Sequence, residues 1–271
     1  MPDGSRVKSS PMGKVRLQEA PLTGDLVAAE YCSDRWVIQK IMPRKNRLKR
    51  PAVANVDQAL IVMSVKEPLF STALIDRLSF LIVNSGVTPV LCVTKTDLGI
   101  DAETEKLIRE YEEGPMRTIR CAKNELDKDL SFILKDRITV LTGQSGAGKS
   151  SLLNQLDPEF HLAVQEISQA LGRGKHTTRH NELHEVYGGL VADTPGFSSL
   201  DFSHMDETQL AQSVLEFRPY LGSCRFNDCS HQAEPGCAVK KAVEDGIISK
   251  ERYKNYLAVL KMIQNRKEQY L

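Results

Sequence analysis

The sequence predicts an α/β fold: a parallel sheet covered by helices, with a short β region before it and a helical, Cys/His-bearing segment after it. Three observations predict it. Residues 59–65 are a nearly continuous apolar run, as in a strand buried on both faces, 89–93 read as a second buried strand and 138–142 as another strand. Segments of helical period separate them, and one run leads into a glycine-rich turn. Beyond residue 201 the strand signal stops, and four cysteine and histidine residues gather within fourteen positions.

The elements follow in order. Short strands are expected at 14–17, 25–28 and 35–41, broken by Pro21, Gly24 and a turn at Cys32-Ser-Asp34. That is two or three strands short of a closed barrel. After the strand at 59–65, the spacing of Leu74, Ile75, Leu78, Leu81 and Ile82 predicts a helix over 72–83. The strand at 89–93 is followed by a charged helix around 102–111 and a short strand at 117–120. The strand at 138–142 ends in the glycine turn, and 151–156 continues as a helix. An apolar stretch at 189–192 reads as one more strand. Residues 206–217 read as a helix with Asp206 or Ser203 as N-cap, 221–237 as a loop, and 238–245 as a helix stopped by Gly246. A last helix opens at Ser249, with Tyr253, Tyr256, Leu257, Leu260 and Ile263 on its apolar face. The organisation expected is a β region at 1–52, an α/β domain at 53–202 and a helical domain at 203–271.

Composition excludes several classes. The chain has 271 residues, 41% of them hydrophobic and 26% charged, which is globular rather than disordered or fibrous. No apolar run approaches the ~18 residues of a membrane span, and the polar N-terminus lacks a secretory signal. Six cysteines are too few for a disulfide scaffold, so a reducing cytoplasm is expected. The net charge of +1 hides an asymmetry: residues 1–56 carry eleven Lys/Arg against five Asp/Glu, and the remainder is acidic. Five of the basic residues fall in the run from Met42 to Pro51. Composition leaves two readings of that run, a solvated linker or a contact to nucleic-acid phosphates.

Chemistry concentrates in four places. Gly143-Gln-Ser-Gly-Ala-Gly-Lys-Ser150 fits the phosphate-binding loop at every position, between a strand and a helix opening through Ser151. Its glycines, with Gln144, Ser145 and Ala147 between them, let consecutive amides converge on phosphate oxygens at a helix N-terminus. Lys149 supplies charge to the β and γ phosphates, and Ser150 a hydroxyl ligand for Mg²⁺. Asp193-Thr-Pro-Gly196 ends the stretch at 189–192; Asp193 can hold Mg²⁺ through water, and the Gly196 amide can sense a γ-phosphate. Thr94-Lys-Thr-Asp97 follows the strand at 89–93, and its Asp97 carboxylate can accept two hydrogen bonds from guanine N1–H and the 2-amino group, which adenine cannot supply. Lys95 lies along the base and Thr96 completes the turn. Cys121-Ala-Lys123 matches a loop whose backbone contacts guanine O6, with Ala122 at its centre. These residues read as a GTP and GDP site. Finally, Cys224, Cys229, His231 and Cys237 are four ligands in a compact, apolar-poor loop, which matches one closed, structural Zn²⁺ site better than disulfides do. Cys32, Cys92 and Cys121 are scattered, and Cys92 reads as core packing.

The order of these motifs, with the base element and Cys-Ala-Lys ahead of the phosphate loop and Asp-Thr-Pro-Gly, resembles the circularly permuted, small-ribosomal-subunit-dependent GTPases of the RsgA/YjeQ type over about residues 20–270. Gly172-Arg-Gly-Lys-His-Thr-Thr-Arg-His180 is similar to that family's switch segment. The resemblance implies a circularly permuted P-loop GTPase domain, a partial OB-fold-like N-terminal region and a C-terminal zinc-binding domain. It implies GTP hydrolysis, binding to the small ribosomal subunit and its rRNA in late assembly, and a monomer away from membranes. By it, Thr177 or Thr178 would hold Mg²⁺ and the γ-phosphate. Phe197 stands where other GTPases orient water with Gln, so His176 is taken as the water-orienting residue, with Lys149 and Thr178. Thr94 replaces the family's Asn, and the N-terminal region is shorter than its five-stranded OB-fold. Two other readings stay open: a permuted GTPase acting on another ribonucleoprotein, and an RNA-binding module gated by nucleotide.

Overall fold

A computed structural model describes residues 7–13, 19–49, 52–123, 125–156, 182–192, 197 and 200–268. The first strands are β1 (Ser9–Pro11), β2 (Val27–Cys32) and β3 (Arg35–Ile41), which form a sheet in the order β1-β3-β2. β2 and β3 pair antiparallel through a two-residue turn at Ser33 and Asp34, both in left-handed backbone (φ 49° and 60°), as a primed hairpin turn requires. The strand expected at 25–28 starts two residues later than the pattern suggests, and the one expected at 14–17 lies outside the described residues. Among the described residues this sheet has three strands, where an OB barrel takes about five.

The basic run is largely paired within the chain. Arg44 donates to both Asp25 oxygens at 2.6 and 2.7 Å and also reaches Glu19; Lys45 meets Asp57 at 2.9 Å and Arg47 meets Glu19 at 3.4 Å. Burial pushes the Asp25 carboxyl up, but the Arg44 hydrogen bonds and charge, with the Leu22 amide and Arg47, together hold it below its ordinary value. Arg44 is therefore an internal tie rather than a charge offered to phosphates.

The second sheet contains β4 (Gln58–Ser64), β5 (Thr88–Thr94), β6 (Thr118–Arg120), β7 (Ile138–Gly143), β8 (Leu183–Val186) and β9 (Gly189–Ala192), in the order β6-β5-β4-β7-β9-β8. All its pairings are parallel except β8 with β9. Every residue of β4 is buried, so its unbroken apolar run is that of a central strand. Helices α1 (Thr72–Asn84), α2 (Ala102–Glu112), α3 (Leu130–Leu134) and α4 (Lys149–Leu156) provide the crossovers. One face of the sheet packs Ile61, Met63 and Val93 against Ile75, Leu78 and Ile108; the other packs Leu60, Val62 and Cys92 against Leu130, Leu152 and Leu153.

The C-terminal segment forms α5 (Glu207–Ser213), α6 (Ala238–Glu244) and α7 (Lys250–Glu268). Asp206 caps α5 in a capping box with Gln209. The helix expected over 206–217 is shorter. Ser213 turns its hydroxyl onto the Gln209 carbonyl at 2.6 Å, Val214 goes extended, and Leu215–Tyr220 continues as a 3-10 turn containing Pro219. Proline disfavours the α conformation in the residue before it and cannot donate to the helical ladder.

This segment is fastened to α1 by a buried polar network. Asp76 accepts from Arg252 at 2.7 Å, Tyr111 at 2.9 Å and Asn255 at 2.6 Å, while the Arg252 guanidinium lies 3.6 Å over the Tyr111 ring. Among the described residues, no helix is long and apolar enough to cross a membrane. Asp76→Ala leaves the Arg252 charge buried without its main partner, and should cost about 3–5 kcal/mol in urea unfolding. A loss below about 1 kcal/mol would contradict this role for the network.

Candidate functional site

β5 and β7 flank β4, so the loops that follow them emerge side by side at the C-terminal edge of the sheet. After β5, Lys95 takes left-handed backbone (φ 59°) and Thr96–Leu98 forms a 3-10 turn. The Thr96 amide and hydroxyl donate to the Cys121 carbonyl at 3.4 and 3.2 Å, and Asp97 Oδ1 accepts from the Lys123 amide at 3.0 Å. Thr94-Lys-Thr-Asp97 and Cys121-Ala-Lys123 are thereby tied into one unit. A carboxylate holding one amide keeps lone pairs for further donors. The Lys95 ammonium rests on the Lys66 and Glu67 carbonyls.

The phosphate loop faces this unit. Gly143 (φ 124°) ends β7 opposite Val62, and a Cβ there would lie 2.1 Å from the Val62 carbonyl oxygen. Only glycine fits so close an approach. Lys149 opens α4 and donates to the Gly143 and Gln144 carbonyls at 2.9 and 2.6 Å; burial lowers its pKa. The Thr94 hydroxyl donates to the Ala147 carbonyl at 2.6 Å, with the Met63 carbonyl oxygen 3.3 Å away. A buried bond thus joins the end of β5 to the phosphate loop.

Between them is a cavity of about 440 Å³, walled on one side by Thr94, Lys95, Asp97, Leu98, Cys121, Ala122 and Lys123 and on the other by Gly148, Ser151, Leu152, Asn154 and Gln155. Its volume is in the range of small-ligand sites. Gln144 Oε1 in the phosphate loop and Asn154 Oδ1 in the cavity wall are buried with no hydrogen-bond partner. Orphaned polar atoms of this kind mark places where a polar ligand can complete the bonding.

The second cluster lies in the C-terminal segment. The ligand atoms of Cys224, Cys229, His231 and Cys237 lie within 4.8 Å of one another. His231 Nδ1 is 3.6 Å from Cys224 Sγ and 3.4 Å from Cys237 Sγ, and those two sulfurs are 3.9 Å apart. A tetrahedron with Zn–S of about 2.3 Å and Zn–N of about 2.0–2.1 Å has edges of about 3.8 Å between sulfurs and about 3.6 Å from sulfur to nitrogen. The donor set and spacing are compatible with zinc. α7 holds the loop in place: Tyr253 and Tyr256 donate to the His231 and Ser230 carbonyls at 2.7 and 2.6 Å. Glu234 accepts from the Ser230 hydroxyl and from the Ser230, Gln232 and Ala233 amides; burial pushes its carboxyl up, but the Ser230 hydroxyl and the backbone amides together hold it down at about 2.

The model of the RsgA GTPase family matches residues 41–203, more than half of the chain. The chain belongs to the RsgA GTPase family. It is 44% identical over 275 residues to a protein of Enterococcus faecalis named small ribosomal subunit biogenesis GTPase RsgA, covering 99% of this chain and 92% of that one. The Bacillus subtilis protein of the same name is 44% identical, covering 92% and 86%. Among solved structures, YloQ, described as a circularly permuted GTPase, superposes with a TM-score of 0.83 at 37% identity, covering 97% of this chain and 88% of that one. YjeQ from Thermotoga maritima gives 0.82 at 34% identity, covering 96% and 91%.

This chain has the permuted α/β fold of that family, with the Thr94–Asp97 segment at the end of β5 ahead of the glycine-rich loop after β7. The structure brings Thr94, Lys95, Asp97, Cys121, Ala122 and Lys123 to one cavity, with Gly148 and Ser151 across from them. Thr96 turns instead onto the Cys121 carbonyl. Gly143, Gln144, Ser145, Gly146, Ala147, Lys149 and Ser150 form the adjoining loop and first turn of α4. His176, Thr177, Thr178, Asp193 and Gly196 lie outside the described residues, as does the whole switch segment at 172–180. Phe197 (φ 50°) packs against the core cluster of β4 and α1. Sequence reasoning missed Leu98, Leu152, Asn154 and Gln155 in the cavity wall, and Glu234 with the two tyrosines behind the Cys/His loop. The i, i+3 step from Ser151 to Asn154 on α4 was a signal that could have found one of them.

Proposed function

We propose that this chain hydrolyses GTP on the small ribosomal subunit and so assists that subunit's late assembly. The observation that carries the reading is the joining of the Asp97 unit to the phosphate loop around one cavity, with Thr94 bonded to Ala147 at 2.6 Å. In this reading Asp97 accepts from guanine N1–H and the 2-amino group while Lys95 lies along the ring. The Cys121-Ala-Lys123 backbone meets O6. Adenine offers neither of those two donors, so the carboxylate selects the base that does. The amides of 143–149 cradle the phosphates, and Lys149 exchanges its two carbonyl partners for the more highly charged phosphate oxygens.

Ser150, Asp193 and either Thr177 or Thr178 would hold Mg²⁺, which when bound neutralises charge developing on the phosphate oxygens. Thr178 is the threonine assigned to the catalytic set with Lys149. Phe197 cannot accept a proton or a hydrogen bond, so His176 orients the attacking water. Cys224, Cys229, His231 and Cys237 would hold one structural Zn²⁺. We divide the chain into an RNA-binding β region at 1–52, the GTPase domain at 53–202 and the zinc-binding domain at 203–271. It acts as a monomer in the cytoplasm, with GTP or GDP and the small subunit's rRNA as partners.

GTP turnover measured with and without purified small subunits tests the proposal. Turnover should be slow alone and rise on the order of 10-fold or more with subunits, and His176→Ala should lose that rise while keeping GTP affinity. Unstimulated turnover would refute the ribosomal reading; a fully stimulated His176→Ala protein would refute the role of His176. For the metal, elemental analysis of reduced protein should give one zinc per chain, and chelation should unfold the 221–237 loop while nucleotide binding persists. Zinc-free protein with a folded loop would contradict it.

A further inference from the structure

Two cysteines outside the zinc cluster meet at the wall of the nucleotide cavity. Cys92 lies in the middle of β5, paired with Val62 of β4 on one side and Ile119 of β6 on the other. Cys121 follows the last residue of β6, in the loop that carries the Lys123 amide bonded to Asp97. Their sulfurs are 3.7 Å apart, with the Cys92 thiol donating to Cys121. A disulfide bond is about 2.05 Å long, so the sulfurs need to approach by about 1.7 Å. Cys92 is fixed by strands on both sides, whereas Cys121 lies past the end of β6, its amide held on the Val93 carbonyl at 2.8 Å, so it is Cys121 that moves.

We propose that Cys121 and Cys92 are a peroxide-sensitive dithiol that links the oxidation state of the protein to its nucleotide site. The proposal rests on the assignment of this cavity to the guanine base. Buried thiols in apolar surroundings are ordinarily inert. Here the hydrogen bond from Cys92 favours the Cys121 thiolate and lowers its pKa, while the same bond and burial push the Cys92 thiol well up. Cys121 is the nucleophile because it also borders the cavity, the route by which a small peroxide arrives.

The chemistry balances with hydrogen peroxide as the oxidant. The Cys121 thiolate attacks one peroxide oxygen, forming S–O and breaking O–O, and the released hydroxide takes up a proton to become water. The Cys121 sulfenic acid is then attacked by the Cys92 sulfur. The S–S bond forms, S–O breaks, and the departing hydroxide leaves as water with the Cys92 proton. Two thiols have lost two electrons to one peroxide, giving a disulfide and two waters.

The structural consequence follows from what Cys121 holds. Its carbonyl accepts both hydrogen bonds of Thr96, and the amide two residues on positions Asp97. Drawing Cys121 toward β5 shifts both anchors of the base-binding unit. A bound base blocks the route in, so nucleotide and peroxide oppose each other at one place.

The test treats the full chain, first reduced and then freed of reductant, with hydrogen peroxide in the presence and absence of GDP. Free thiols are then capped with N-ethylmaleimide, and peptides are read by mass, those of Cys224, Cys229 and Cys237 in the same digest. The expected result is a Cys92–Cys121 linked peptide that dithiothreitol reverses and that GDP suppresses several-fold. The linked protein should bind GDP about 10-fold more weakly and recover on reduction. Cys92→Ser should keep its GDP affinity and give, in place of the link, a dimedone-trapped sulfenic acid on Cys121; Cys92→Ala provides the same readout if the serine hydroxyl disturbs the core. Recovery of both cysteines as maleimide adducts after peroxide would overturn the proposal, and so would a linked protein with unchanged GDP affinity. GDP affinity of the reduced protein is measured first, so a failure of the base-site assignment shows there, independently of whether the link forms.

Discussion

The cavity between Asp97 and the glycine-rich loop depends on one strand. β4 is buried along its whole length and pairs in parallel with β5 on one side and β7 on the other. Parallel neighbours end at the same edge, so the loop after β5 and the loop after β7 are forced together, whichever comes first in the chain. Gly143 tightens the arrangement: with no Cβ, its backbone lies against the Val62 carbonyl, where any side chain would collide. The Thr94–Ala147 bond then closes the gap between the loops at 2.6 Å. In the proposed reading, this is why permuting the order of the motifs leaves a phosphate site and a base site side by side. The sheet fixes where the loops stand, and connectivity only decides which strand is made first.

The C-terminal segment adds a second constraint. Its loop of Cys224, Cys229, His231 and Cys237 has little apolar mass, and it is held from behind by Tyr253 and Tyr256 of α7 and by Glu234 within the loop. α7 is in turn anchored to α1 through Asp76, Arg252 and Asn255, the same α1 that covers β4. A continuous packed path therefore runs from the Cys/His loop to the strand that sets the nucleotide cavity. Ion pairs this deep cost desolvation and are retained only with good geometry. Here three donors converge on one carboxylate.

Much of this was legible in the sequence where a local chemical demand repeats or is strict. β4 and β5 declared themselves as nearly continuous apolar runs because both their faces are covered, and β7 as a strand ending in a glycine-rich turn. The glycine-rich loop was readable because its backbone demands glycine, as at Gly143 against the Val62 carbonyl. The Cys/His loop was readable because four ligating residues gather in a short segment with little apolar mass. What escaped was short or long-range. α3 has five residues, too few for periodicity. β8 is an edge strand of mixed polarity paired with β9 alone. The break at Val214 has no glycine or proline within it. Asp76 and Arg252 are 176 positions apart, and Arg44 finds Asp25 at a separation of 19, so neither pairing leaves a local trace. Cys92 and Cys121, scattered in the chain, meet only because β5 and β6 are neighbours.

The central claim is that the loops after β5 and β7 make one guanine-nucleotide site, with Asp97 reading the base. Its most direct test is the affinity of Asp97→Asn for GDP and for xanthosine diphosphate, measured side by side with the unaltered protein. The amide replaces one acceptor by a donor, so affinity for GDP should fall on the order of 10-fold or more and affinity for xanthosine diphosphate should rise to exceed it. An Asp97→Asn protein that binds GDP as tightly as the unaltered protein would contradict the account.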